Sequence, residues 1–594
     1  MTSWIFPGII GCMNEAPKMK HIRLDAIPLL LGVLMQMGIP QIYDHAIGDH
    51  GSHTGLSGGW MLTIWLAFIL SQADHTKYKV QEWVARHQAL LVRRTGQPIK
   101  SAEFNDNRLG RLLARLSQPP RWERFEQALW QHSVEVYQLE MASVGGVYSA
   151  HVDSTTACGY HAPQAHGLMQ RGHSKDHRPD LAQLKLMTVA THPHGHLAVT
   201  QVTSGNTADD GLYLPIIARA RAIFNRTGML YVGDCKMAAR ETRATVAHDG
   251  DYYLTVAPLT GETAQGLPGW IAAAVSGAQR TVRLYNGAGA WVGRGYEFER
   301  PCTAQLPTGH NGELEPFTWR ERVQVFRSTA HAAQQFKSLT QRLDRAQAEL
   351  RARTPPPGQG RRQFSDPARL EAAVHAKIKQ HGVEGLLTVQ WRMEQKVQYR
   401  FAGRGRPSAA SQPQQVLTRR CQITKITRDK AALAAQRARL GWRVQLTNAP
   451  AALSLPTGVT HYRGNWCGER NYHRLKSQPI GIDPIFVRKD DQISGLTYLL
   501  TLAARVESVI EFQVAHGLQK AGKPMKGLYS GLPQKATPTP TAVAILAAIA
   551  RSEITLTQME CRGKPTFHLT PLPALLREVL RYLHLPLSLY TGGL

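Results

Sequence analysis

The sequence predicts an α/β protein: a mixed sheet with helices, preceded by a helical block and interrupted by a β-rich insertion. Three observations predict it. Residues up to about 139 carry apolar or amphipathic helical runs. From 147 to 258 the texture changes to short β-rich runs alternating with helices, in the order strand, two strands, helix, strand, helix, strand. That alternation is the mark of a sheet covered by helices. From about 259 to 456 the alternation stops and antiparallel-looking strands take over, before apolar helices resume.

In the first block, IPLLLGVLMQMG (27–38) and GGWMLTIWLAFILSQ (58–72) are apolar enough to be buried helices. The first is too short to span a bilayer, which needs about 20 residues, and no small-residue cleavage site follows it. EFNDNRLGRLLARL (103–116) places Leu109, Leu112, Leu113 and Leu116 on one stripe with arginines opposite. SVEVYQLEM closes the block.

In the alternating region, VYSAHVDSTT (147–156) is a strand that delivers Asp153 at its exposed end. LAQLKLMTVATH and HLAVTQVTSG flank HPHG as a hairpin. DDGLYLPIIARARAIF is a helix with Asp209 and Asp210 at its positive end. MLYVGD (229–234) is a buried strand ending on Asp234, followed by a helix closing at Gly250 and by the strand DYYLTVAPL. In open α/β layers ligands bind at strand carboxyl ends, and two acids delivered there by two strands could share divalent metals.

The segment 259–456 holds strand-like pieces and one long charged helix, AHAAQQFKSLTQRLDRAQAELRAR, stopped by TPPPGQGRR. ISGLTYLLTLAARVESVIEFQVA is an apolar helix that returns to the α/β layer, and a basic linker leads to a small helical tail. The boundaries read as 1–145 helical, 146–258 first part of the core, 259–456 insertion, 457–520 second part of the core, and 521–594 linker and tail. No internal repeat is present.

The charge balance names the partner class. Lys and Arg number 70 against 43 Asp and Glu, a net charge of +27. Such a surplus calls for a polyanion, and the shortness of the most apolar early run, 27–38, weakens the membrane reading against nucleic acid. The seven cysteines are scattered with no C-x-x-C pair, which argues against a disulfide framework or structural zinc cluster and fits a reducing compartment.

One further stretch mixes residue types unlike a core stripe: YRGNWCGERNYHRLKSQP (462–479). If it is one helix, Tyr462, Asn465, Glu469, His473 and Lys476 fall within a stripe of about 80°, with Tyr472 about 20° beyond it. A carboxylate flanked by a phenol, an imidazole and an ammonium suits a face that binds metal through Glu469 and phosphates through its neighbours.

These motifs together resemble a known family. VDSTT, GHSKDHRPDLAQLKL (172–186), SGNTADDG, LYVGDCKM and Y-x-x-N-W-x-x-E-x-x-Y-x-x-L-K occur in the order found in the DDE transposases of bacterial insertion sequences. The resemblance is to the group marked by a Tyr–Arg–Glu–Lys signature, and it spans roughly 147–476. It implies a ribonuclease-H-like catalytic core with an insertion before the glutamate helix. It implies Asp153, Asp234 and Glu469 as a catalytic triad holding two Mg2+ (or Mn2+) ions, and Tyr462 and Lys476 as contacts to DNA near the cleaved end. Asn465 and His473 share that face as candidate DNA contacts.

The implied partner is double-stranded DNA, as transposon ends and target. The implied assembly is a homodimer at least on DNA, in the bacterial cytoplasm with the nucleoid. The implied activity is cleavage at terminal inverted repeats and joining of the freed 3′-hydroxyls to target DNA. Two other readings remain: a decayed or domesticated transposase that binds DNA without cutting, and a nuclease that cuts without joining.

Two positions depart from the signature. Its arginine would stand three residues after Tyr462, where this chain has Asn465, and Gly468 replaces a bulky apolar residue. Arg463 and Arg470 each lie about 100° or more off the stripe. Either the helix begins after Gly464 and Arg463 takes the role, or the arginine function is absent.

Three weaker motifs complete the reading. RGRP (404–407) resembles an AT-hook core, which makes Arg404 and Arg406 candidate minor-groove contacts; a basic turn is the preferred reading of four residues. HPHGH (192–196) is rich in metal-binding residue types but reads as a hairpin turn. GAGAWVG (287–293) lacks the spacing of a nucleotide loop.

Overall fold

Apolar runs become helices where they meet residues that start a helix. The computed structural model describes residues 18–48, 55–139, 141–308, 313–358, 361, 363–401, 412–464, 466–561 and 564–592. After strand β1 (Lys18–Arg23), α1 (Ile27–Gln36) and α2 (Ile39–Ala46) each carry proline in the first turn, where its fixed φ and missing N–H are harmless. In α3 (Gly58–Gln72) the Ser57 hydroxyl caps the helix by accepting from the Trp60 N–H, and the helix is buried nearly all round. α4 (Lys77–Thr95), α5 (Asp106–Leu116) and α6 (Pro119–Tyr137) complete the block. The four leucines expected to form one stripe on α5 are all buried. The helix starts later than the sequence pattern proposed, because Asn105 caps it by accepting from the Arg108 N–H.

A ten-stranded mixed sheet forms the centre. The two-residue β2 (Ser143–Val144) pairs with β3 (Val147–Gly159), which is antiparallel to β4 (Ala182–Thr191); β4 is antiparallel to β5 (Leu197–Ser204). The HPHG turn joins β4 and β5, as the sequence predicts. α7 (Tyr213–Phe224) leads to β6 (Leu230–Gly233), parallel to β3, and α8 (Arg240–His248) to β7 (Tyr252–Val256), parallel to β6. The order is therefore β5-β4-β3-β6-β7.

The following segment does not leave this sheet. α9 (Gly261–Ser276) precedes β8 (Val282–Tyr285), β9 (Trp291–Thr308) and β10 (Glu313–Ser328). α10 (Thr329–Arg353) and α11 (Pro367–Gln380) then support a long ribbon of β11 (Leu387–Phe401) and β12 (Pro413–Arg428), and α12 (Lys430–Arg439) leads to β13 (Trp442–Thr447). The sheet continues β7-β13-β10-β9-β8 with antiparallel pairing, while β11 and β12 form a separate two-stranded sheet, to which Phe364 adds a single bridge at Cys421.

α13 (Leu455–Arg463) and α14 (Trp466–Lys476) follow, then the 32-residue α15 (Asp490–Ala521). α15 is the one helix among the described residues long and apolar enough to cross a membrane, and its apolar stretch is almost wholly buried inside the protein. It carries buried charges that bind neighbours: Arg505 pairs with Glu126 of α6, which also holds Arg219 of α7. This network ties the N-terminal helices to the core. The tail is not purely helical. α16 (Ala542–Ala550) is followed by the hairpin β14 (Thr555–Cys561) and β15 (Lys564–Leu569), then α17 (Ala574–Tyr582) and α18 (Ser588–Thr591). β14 pairs with β1, so the two ends of the described chain share a three-stranded sheet.

The two faces of β3 and β4 do different work. Ala150, Val152, Met187 and Val189 pack with Ile216, Ile217 and Ala220 of α7 in an apolar layer. His151, Asp153 and Thr188, one residue out of phase, belong to the opposite face, which α13 and α14 cover.

Candidate active site

The two aspartates meet because one strand stops where its neighbour continues. β6 ends at Gly233, which pairs in parallel register with Val152. The next residue on each chain is the acid, so Asp153 and Asp234 stand on adjacent strands, whose spacing is about 4.8 Å. Asp153 does not lie at a strand end, as the sequence reading held. It sits mid-way along the 13-residue β3, because antiparallel pairing with β4 carries that strand on to Gly159. Asp234 follows its strand directly, as expected.

Each carboxylate is held. Asp234 Oδ1 accepts from the Tyr213 hydroxyl (2.7 Å) and the Lys236 N–H (2.8 Å). Asp153 Oδ1 accepts from the Ser154 N–H (2.7 Å). Lys175, from the loop before β4, lies 3.9 Å from that oxygen and donates to the Ser154 carbonyl and hydroxyl. Burial pushes the Asp153 carboxyl up to about 6; Lys175 and the Ser154 N–H oppose this, while the charges of Asp234 and Asp209 add to it. Lys175 offsets the Asp153 charge only in part, and Lys185 pairs with Asp209. All-oxygen donors with surplus negative charge fit Mg2+ or Mn2+ better than softer ions.

That surplus predicts a trade of stability for function. The folded Asp153 carboxyl holds its proton to higher pH than the unfolded one. Its ionised form therefore costs stability, by nothing below about pH 3.8 and in full above about 6. In metal-free buffer, Asp153→Asn is expected to stabilise the fold by about 2–3 kcal/mol at pH 7.5, and by almost nothing near pH 4. Urea unfolding with a chelator at both pH values measures this. An equal difference at the two would refute it.

The stretch 462–476 is not one helix. α13 ends at Arg463 and α14 begins at Trp466, so the single 80° stripe from Tyr462 to Lys476 does not exist. The physical reason is Gly464, a poor helix former at the joint; its N–H turns back to the carbonyls of Thr460 and His461. Asn465 lies outside the described residues, as do Arg404 and Arg406.

α14 is oriented from its rear. Arg470 and Arg474, one turn apart, both pair with Glu511 of α15. On another side Tyr472 is half-buried and shares a 2.8 Å hydrogen bond with Thr188, the residue paired with Asp153 across β3 and β4. Burial, and then the Asp153 charge, raise the Tyr472 phenol well above its ordinary range. Lys476 pairs with Asp176, whose other oxygen accepts from Thr156 of β3. His473 is exposed.

Tyr462 stands near both aspartates. Burial first, then the charges of Asp234 and Asp153, push its phenol up to about 12, so it remains a hydrogen-bond donor. Tyr462 and Glu469 line one cavity of about 610 Å3 together with Arg443, Arg463, Gln445 and His331. That is room for a nucleotide-sized group. Glu469 is exposed in the first turn of α14. Among the described residues, neither Arg443 nor Arg463 is ion-paired; Arg463 donates to Ser328 Oγ at 3.1 Å. The structure thus gathers Asp153, Asp234 and Tyr462; Glu469 lines a cavity with Tyr462 that neither aspartate lines, so the three carboxylates expected to converge are not brought together as one ligand group, and Lys476 is engaged with Asp176. Lys175, Arg443 and Tyr213 were not singled out as site residues from the sequence. Only Lys175 had a local signal, inside GHSKDHRPDLAQLKL.

No protein-family model matches the sequence, and no curated protein does. Among solved structures, the chain is similar to the piggyBac transposase in a synaptic complex with hairpin DNA, with a TM-score of 0.23 and 8% identity. The match covers 49% of this chain and 60% of that one, so the chain spans less than two thirds of that protein's length. A likeness of this size carries no argument for fold or activity.

Proposed function

We propose that this chain is a DDE-type DNA transposase with a ribonuclease-H-like core, cleaving the ends of its element and joining the 3′-hydroxyls to target DNA. The observation that carries the reading is the paired position of Asp153 and Asp234 on the adjacent parallel strands β3 and β6 of the order β5-β4-β3-β6-β7. The motif order in the sequence supports the same assignment.

Asp153, Asp234 and Glu469 would hold the metals. When bound, a pair of Mg2+ or Mn2+ ions supplies Lewis-acid polarisation of the attacking and leaving oxygens at phosphorus. The chain's own residues do the rest. Arg443 and Arg463, in no ion pair among the described residues, offer guanidinium groups to phosphate oxygens in the cavity beside Glu469, and the protonated Tyr462 offers a hydrogen bond there. Lys175 offsets the Asp153 charge and, through its bonds to Ser154, holds the backbone of β3 beside it. Tyr472, with Arg470 and Arg474, fixes the rotation of α14 and hence the direction of Glu469.

The β11–β12 ribbon supports a duplex partner. It is a two-stranded antiparallel element with Arg392, Lys396, Arg400 and Arg419 exposed along it. A ribbon of this kind fits the major groove. With a net charge of +27, binding is expected to be dominated by phosphate contacts. Affinity for duplex DNA should fall on the order of 1000-fold between about 50 and 200 mM salt, as for a protein neutralising six or more phosphates. Fluorescence anisotropy across that range checks it, and a flat response would remove DNA as the dominant partner.

The decisive experiment is Mg2+-dependent nicking of DNA carrying the inverted repeats that flank the gene, followed by a joining assay with pre-cleaved ends. Nicking with joining supports the transposase. Nicking without joining would make the chain a nuclease, and binding without nicking a DNA-binding protein.

A further inference from the structure

A second cluster lies one strand repeat away from the acids. His151 is two residues before Asp153 on β3, on the same face, about 6.6–7 Å along the strand. His192 follows the end of β4, and His461 is on α13 immediately before Tyr462. The three rings converge although the residues span 310 positions in the chain. Centroids are 5.4 Å apart for His151 and His461, 5.8 Å for His151 and His192, and 4.5 Å for His192 and His461. One nitrogen from each ring can be chosen so that all three lie within 4.8 Å of one another. His151 and His461 are buried. His192 Nδ1 and His461 Nε2 are shielded from solvent and have no hydrogen-bond partner among the described residues. A buried imidazole nitrogen without a partner carries a free-energy cost that a ligand would remove.

We infer that His151, His192 and His461 form a transition-metal site, of the kind that takes Zn2+, separate from the carboxylate site. Three imidazoles are a set for zinc, with a fourth position open. They are a poor set for Mg2+, which seeks oxygen. Zn–N bonds of about 2.0–2.1 Å in a tetrahedron put ligand nitrogens about 3.4 Å apart. The nitrogens, within 4.8 Å of one another, would close by up to about 1.4 Å, a change of the size side-chain rotation supplies.

The position gives such a site a role. Its ligands come from the strand bearing Asp153, from the β4–β5 turn, and from the helix whose next two residues are Tyr462 and Arg463. A Cβ at Gly464 would lie 3.8 Å from His192 Cε1, so the joint between α13 and α14 rests against the cluster. A bound ion would pin that joint to the sheet.

The test uses tag-free full-length protein, stripped with chelator and titrated with Co2+, then Zn2+. Wild type is expected to bind one equivalent of Co2+ with a visible d–d band of tetrahedral type, to lose the band on adding Zn2+, and to melt at higher temperature with Zn2+. His192→Ala and His461→Ala should each lose the band and the shift in melting temperature while keeping the far-ultraviolet circular dichroism of the wild type. Should either fail to fold, His461→Gln, which keeps a polar side chain of similar bulk, replaces it. Asp153→Asn with Asp234→Asn should keep the band, which separates this site from the acidic one. Absence of a stoichiometric band in folded wild type would show an aromatic cluster of neutral histidines and overturn the inference. A band unchanged in the histidine variants would overturn it too.

Discussion

Asp153→Ala, Asp234→Ala and Glu469→Ala are each expected to abolish DNA cleavage, by more than about 10³-fold, while DNA binding survives. The first two remove oxygen donors from a pair of acids on adjacent strands, and the third removes the carboxylate that lines the neighbouring cavity with Tyr462. Losing one preorganised group aimed at charge that develops in the transition state costs about 10²–10³ in rate. Losing a metal ligand also loosens the ion, so the effect should exceed that range. Binding behaves differently because phosphate neutralisation by Lys and Arg dominates it. Removing a negative charge from the site should leave affinity equal or slightly higher. Gel assays of nicking and anisotropy measurements on the same preparations separate the two quantities. A variant of Asp234 that nicks at the wild-type rate would end the proposed assignment, because Asp234 is the acid that directly follows β6.

Asp153 and Asp234 were legible because each follows an apolar β run, and the local pattern places the acid relative to its strand. The end of β3 was not legible. Asp153 faces Asp234 because β6 is short, and how far β3 continues depends on its pairing with β4, a non-local matter. The same reason hid the path of the segment 259–456. Its strands alternate as antiparallel strands should, but their attachment to the core sheet runs through β13 and β7, which are nearly 190 residues apart in sequence. The stripe from Tyr462 to Lys476 failed at one residue. A 100° rotation per position was carried across Gly464, where the helix breaks, and every angle beyond it lost its reference. The seven-residue spacing of Tyr462, Glu469 and Lys476 therefore reflects three different environments: a phenol beside two acids, an exposed carboxylate on a cavity wall, and an ammonium paired with Asp176. The histidine triplet was beyond sequence reasoning in kind. Only His192 sits in a recognisable motif, and its two companions belong to elements that meet through the fold.

On the proposed transposase reading, the broken helix favours Arg463 as the substitute for the signature arginine. α14 begins after Gly464, and Arg463, at the end of α13, lines the same cavity as Glu469 and Tyr462. Its side chain donates to the Ser328 hydroxyl, a neutral acceptor that a phosphate oxygen can displace. Partial desolvation and the nearby Arg443 push the Arg463 guanidinium below its ordinary value, a direction that an anion bound there would reverse. A hydrogen bond to a charged group is worth about 1.5–3 kcal/mol. Arg463→Ala is therefore expected to slow single-turnover cleavage by roughly 10- to 150-fold if that contact forms mainly in the transition state. Arg463→Lys should recover part of the rate, because the charge returns without the planar fork. Ser328→Ala should leave the rate near wild type, since the hydroxyl only parks the side chain before phosphate arrives. Asn465→Arg should then add little. The opposite pattern, with normal cleavage by Arg463→Ala and faster cleavage by Asn465→Arg, would show that the chain lacks the arginine function at this joint.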